Sequence, residues 1–170
     1  MKRLFVIGLI VACSLFLFSG EEAQGDQYGR NGSLVIYVDS SKPTYDLAEP
    51  IPMTLTLINR TDESLIVNRR FNPIHDLKWE IFHEGFGYVP LKPLPPLALS
   101  EEDYIRLEMN EEIGKVIPDL HELLEMPLKV GRYGIRVTYT NEEKPKGKET
   151  WTGLIVTNLL WVVVKSGEKV

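Results

Sequence analysis

Hydrophobic and polar residues alternate one by one along most of this chain, the period of a strand with one buried face. Residues 33–39 (SLVIYVD) set Leu34, Ile36 and Val38 on one side. Met53, Leu55 and Leu57 alternate with Thr54, Thr56 and Ile58. Pro50 and Pro52 precede that run and cannot donate to a ladder, so pairing is expected to begin near Met53. A turn cluster at 59–63 (NRTDE) returns the chain into a third strand over 64–70. Leu77, Trp79 and Ile81 oppose Lys78, Glu80 and Phe82 in a fourth. Residues 104–109 predict a short fifth strand. Residues 132–140 alternate Tyr133, Ile135, Val137 and Tyr139 against Gly134, Arg136 and Thr138. The last predicted strand covers 154–165, with an apolar stretch from Trp161 to Val164.

Two stretches break the alternation. Residues 85–96 contain Gly85, Gly87, Pro90, Pro93, Pro95 and Pro96, and predict a long polyproline-like connection between sheets rather than a PxxP ligand. Within 118–126, Leu120, Leu123 and Leu124 recur at helical spacing before Pro127 stops them, predicting one short helix. About seven strands without βαβ alternation indicate an all-β, two-sheet antiparallel β-sandwich. No internal repeat divides the chain, so one domain is expected over 26–170, with its last five residues as a frayed tail.

The N-terminus adds where this domain works. Lys2 and Arg3 precede residues 4–18, which are apolar apart from Ser14, and Gly20, Glu21 and Glu22 end the run. A basic start, an apolar stretch and a small-residue exit make residues 1–25 a signal peptide, and the expected location is extracytoplasmic. Ile10-Val11-Ala12-Cys13 is similar to a bacterial lipobox, so Cys13 is the candidate lipidation site. The apolar run continues from Leu15 to Phe18, past that cysteine, which favours cleavage downstream, near Ser19-Gly20 or after Ala23-Gln24-Gly25. About 15 apolar residues fall short of the roughly 20 that span a bilayer. The membrane is therefore met only through the signal segment or a lipid anchor.

Composition narrows the chemistry further. Cys13 is the single cysteine, so the mature domain has no internal disulfide, thiol nucleophile or Cys-ligated metal. A formal net charge of −5 with scattered basic residues excludes a nucleic-acid face. Lys144, Lys146 and Lys148, among Glu142, Glu143 and Glu149, read as a solvated hairpin tip. Each histidine precedes an acid (His75-Asp76, His83-Glu84, His121-Glu122), but no metal-ligand spacing joins them, and no metal site or cofactor is predicted. The acids at 101–103, 108, 111 and 112 lack a calcium-loop pattern and read as a solvated face. No GxSxG elbow or phosphate loop is present, so no catalytic residue is assigned. Asn31 and Asn59 open glycosylation sequons that carry no meaning behind a bacterial-type signal.

Gly131-Arg132-Tyr133-Gly134-Ile135 fits a tyrosine corner, and Trp79 occupies the place of an inward core Trp. Tyr45-Asp-Leu-Ala-Glu49-Pro50-Ile51, followed by Leu55-Thr-Leu-Ile-Asn59, resembles the first hairpin region of exported immunoglobulin-like domains. These include macroglobulin-type domains and the bacterial BsuPI-type proteinase inhibitor, with Ala48 where those have glycine. Trp151-Thr-Gly153 and Thr157-Asn158 look like the closing strands of similar secreted proteins. The resemblance implies an immunoglobulin-like sandwich and no catalytic residues. The expected function is a non-enzymatic binding or structural domain of the cell envelope, with another envelope or extracytoplasmic protein as partner. A secreted proteinase inhibitor is the alternative, and a hydrolase is disfavoured by the empty motif search.

Overall fold

The structure, a computed structural model, describes residues 34–72, 75–93 and 100–167. Residues 1–25 with Cys13, the Asn31 sequon, part of the proline-rich connection and the last three residues lie outside the described residues.

Alternation becomes burial. In β1 (Leu34–Ser40), Leu34, Ile36 and Val38 are buried. A short β2 (Thr44–Asp46) precedes β3 (Met53–Asn59), where Met53, Leu55 and Leu57 are inside. β4 (Leu65–Asn68) and β5 (Leu77–His83) follow, the latter with Leu77, Trp79 and Ile81 inward. After the two-residue β6 (Gly87–Tyr88) come β7 (Tyr104–Leu107) and β8 (Glu112–Ile117). β9 (Gly131–Asn141) is the longest, and its Tyr133, Ile135, Val137 and Tyr139 have no exposed surface. β10 (Gly153–Val156) and β11 (Leu160–Lys165) close the chain.

These strands form two main sheets. One runs β1-β3-β8, all antiparallel. The other runs β2-β11-β9-β5-β6, with β10 also on β9 and β2 parallel to β11. β4 and β7 pair as a separate ribbon. The chain changes sheets between β1 and β2, where the Val163 amide donates to the Pro43 carbonyl at 2.8 Å. A three-strand sheet facing one whose centre is β5, β9 and β11 is the immunoglobulin-like arrangement, with β1, β3 and β8 in the places of A, B and E. Tyr133 makes the predicted corner: its hydroxyl donates to the Lys129 carbonyl (3.0 Å) and accepts from the Lys129 amide (2.7 Å).

Several elements differ from the sequence expectation. More strands form than seven, chiefly because β2, β6 and β8 are short or disguised. β8 lies partly in the stretch read as a solvated acidic face. Its Lys115, opposite buried Leu55, lays its stem along the sheet and donates from Nζ to the Arg70 carbonyl (3.2 Å), interrupting the apolar alternation. The predicted helix is a single 3-10 turn, Leu120–Leu123. Its amides are claimed elsewhere: Leu120 donates to Ile51 O and Glu125 to Pro90 O. Helical propagation would turn the Glu125 amide back to His121 O, so with that donor on Pro90 the turn stops after burying Leu120 and Leu123. The last strand splits at Thr157 and Asn158. Thr157 Oγ1 accepts from the Val137 amide (2.9 Å), while the Asn158 side chain accepts from Val38 N and donates to Val38 O. One amide side chain thus closes the outer edge of β1.

Gly131 is required by space. Its φ is +149°, and a Cβ there would lie 2.1 Å from His83 Nε2. Gly131→Ala is expected to cost about 2–4 kcal/mol in urea melts, combining backbone strain with overpacking.

Candidate binding surface

The residues that carried the sequence resemblance are framework. Tyr45 is buried and its hydroxyl takes the Lys42 amide at 3.1 Å, while Glu49 pairs with Lys42 and accepts from the Asp46 amide. Asn59, fully buried, donates to Glu63 O (2.7 Å) and Leu107 O (2.9 Å) and accepts from the Thr61 amide (2.9 Å). That amide joins the β3–β4 and β7–β8 turns, so its sequon is a structural motif.

The three histidines fall in three places, and among the described residues no group of His, Cys, Asp and Glu could hold a metal. His83 is buried: Nδ1 accepts from the Gly85 amide (2.9 Å), so Nε2 carries the proton toward Val130 O (3.3 Å). Phe86 stacks on its ring at 3.8 Å, and Tyr133 meets it edge-on. His121 bonds Asp119 through Nδ1 at 2.7 Å. Burial works against the Asp119 charge, but hydrogen bonds from the His121 ring and from the Ile51 and His121 amides outweigh it, holding that carboxyl below its ordinary value. A depressed folded pKa gives stability that is present above the unfolded value of about 4 and lost as pH falls through the folded one. Asp119→Asn should therefore lower the urea midpoint at pH 7, by an amount that shrinks toward pH 3.

His75 borders a polar depression of about 120 Å³ with Asp76, Arg70 and Glu143. Its floor is a staple. Asp76 accepts from Arg70 Nε and Nη2 (2.9 and 2.8 Å), Asn68 Nδ2 (2.9 Å) and the Asn72 amide (2.7 Å). Thr140 N donates to Asp76 O, and the Tyr139 hydroxyl donates to Asn68 O at 2.8 Å. Burial pushes the Tyr139 hydroxyl well above the usual phenol value, so it remains a donor. Phe71, buried at φ +46°, packs its ring against Tyr139 at 5.7 Å. With no cysteine in this domain, these contacts fasten the β4–β5 connection to β9. All of Asp76's acceptor capacity is used, which suits structure rather than chemistry.

The outer face of the six-stranded sheet is different. One register row crosses four strands: Trp161 on β11 opposes Gly134 on β9, which opposes Phe82 on β5, which opposes Tyr88 on β6. Tyr88 is 74% exposed, the most exposed large hydrophobic among the described residues, and Phe82 meets it edge-on at 5.8 Å. Arg132 lies 4.2 Å over the Trp161 ring, whose far edge leans across Gly134. Between Trp161 and the Phe82–Tyr88 pair remains an open slot of about 180 Å³, with Leu159, Arg136 and Glu80 at its rim. Leu159 and Val163 are exposed beside it. No catalytic constellation accompanies this slot. Its aromatic walls and charged rim are what association surfaces carry.

No family model and no curated protein matches the chain. Among solved structures it is similar to the CARDB domain of a Pyrococcus furiosus protein, determined in complex with di-metal ions: 12% identity, TM-score 0.40, over 79% of this chain and 94% of that one. It is also similar to the Salmonella enterica SafA pilin in complex with the SafB chaperone: 10% identity, TM-score 0.34, over 78% of this chain. The match spans about half (55%) of that second chain. Neither likeness informs function, and the immunoglobulin-like assignment stands on strand order and the tyrosine corner.

Proposed function

We propose that this protein is a non-enzymatic, extracytoplasmic binding domain of the cell envelope, exported by residues 1–25 and associating with another exported protein through the outer face of its six-stranded sheet. The observation that carries the reading is the outward row of half-buried Trp161 with exposed Phe82 and Tyr88 around an open slot. A contiguous aromatic patch rimmed by charge is costly to leave in water and marks an interaction site. The buried polar groups, by contrast, are spent on holding the fold.

Phe82→Glu with Tyr88→Glu tests the reading. Both side chains point outward, so the thermal midpoint should move by no more than a surface change moves it. Recovery of a specific partner from the native envelope should be lost. Retention of that partner by the double variant would sink the reading. Export is tested separately by intact mass. An N-terminus between Gly20 and Asp26 is expected, with Cys13→Ser leaving export unchanged, whereas a lipidated Cys13 would contradict it.

A further inference from the structure

We infer that the partner seated on this face is a second copy of the chain, packed face to face about a two-fold axis running along the strands midway between β5 and β9. The inference rests on the proposed role of that face and adds what occupies it. The axis follows from the register. A rotation of 180° about a line between two neighbouring strands places each outward residue of one copy over its own cross-strand partner in the other, as an isologous contact requires. A face is therefore self-complementary when its cross-strand pairs are complementary, and here they are.

Glu80 and Arg136 are cross-strand partners, so the second copy brings Arg136 over Glu80 and Glu80 over Arg136. Arg132 and Glu84 already pair at 3.0 Å across β9 and the end of β5, and the same rotation exchanges them. Between these two charged rows lies the aromatic one. Its order Trp161, Gly134, Phe82, Tyr88 reverses under the rotation, setting Tyr88 of one copy over Trp161 of the other and Phe82 over the glycine-floored slot. Gly134 is what leaves room there: a side chain at this position would meet the Trp161 ring at 3.0 Å.

Charge agrees. The molecule carries −5 overall, yet the two charged rows pair opposite signs, so two copies meet here without the repulsion their net charge implies. Under this axis β11, β9, β5 and β6 overlap their counterparts while β2 lies outside. Four strands about 4.8 Å apart and up to seven residues at about 3.3 Å give roughly 19 by 23 Å, the size of a weak, concentration-dependent interface.

Charge reversal tests the geometry. In sedimentation velocity on the purified exported chain at about 1–100 µM, the wild type should be dimeric at the upper end. Glu80→Arg alone sets Arg against Arg136 in both copies, and Arg136→Glu alone sets Glu against Glu80. Each should weaken self-association about 100-fold. An equimolar mixture of the two single variants should restore the dimer, because each new charge then meets its opposite. Misfolding cannot be rescued by mixing two variants, so that restoration is specific to the interface. A monomeric wild type at 100 µM, single variants that stay dimeric, or a mixture that stays monomeric would each overturn the inference. A monomer that still loses another envelope protein through Phe82→Glu would overturn self-pairing alone. A monomer that loses nothing would remove the binding surface as well.

Discussion

Tyr133→Ala is expected to cost about 3–5 kcal/mol, and Tyr133→Phe only about 1 kcal/mol. The ring has no exposed surface and packs edge-on against His83 at 4.7 Å, so truncation opens a cavity between β9 and the β5–β6 turn. The hydroxyl adds a smaller part through the Lys129 amide and carbonyl. Burial raises its pKa, which keeps it a donor across the working range of pH. Urea melts of the three proteins separate the contributions. Equal stability of wild type and Tyr133→Ala would remove the corner as a source of stability.

Asp76→Ala should be comparably severe, about 3–5 kcal/mol, because it withdraws the carboxylate facing a guanidinium that is only 9% exposed. It also takes the acceptor from Asn68 Nδ2 and the Asn72 amide. The backbone strain at Phe71 is then held by less. Glu84→Ala supplies the contrast. The Arg132–Glu84 pair has a similar distance, but its side chains are about half exposed (48% and 51%), and its loss should stay within about 0.5 kcal/mol. Similar costs for the two variants would mean that burial does not set the strength of these pairs.

Strands that are apolar on one face and polar on the other were legible in the sequence, as β1, β3, β5 and β9 show. Elements whose backbone donors or side chains bond to distant residues were not. The leucines at 120, 123 and 124 have helical spacing, yet nothing local announces that Pro90 takes the Glu125 amide a helix would use. β8 was masked by Lys115, an inward position filled by a charged residue whose head reaches Arg70. The split between β10 and β11 did have a signal. Thr157 and Asn158 are polar residues within an apolar run, and their side chains replace ladder bonds. Arg70 appeared in sequence as one of the scattered basic residues and Asp76 as half of His75-Asp76. Phe82 was read as facing away from the core, Trp161 as part of an apolar run, and Tyr88 carried no signal of its own. Only the register of β6, β5, β9 and β11 puts the last three in one row, so the candidate surface needed the fold first.

The most direct measurement places a photo-crosslinking side chain at position 88, in intact cells, and another at position 37. Tyr88 lies on the proposed surface, while Tyr37 is 45% exposed on β1 of the other sheet. Irradiation should give a defined adduct in the envelope fraction from position 88 and none from position 37, with twice the chain's mass if the partner is a second copy. Adducts from position 37 alone, equal adducts from both, or none from position 88 would contradict the assignment of the six-stranded sheet's outer face as the binding surface.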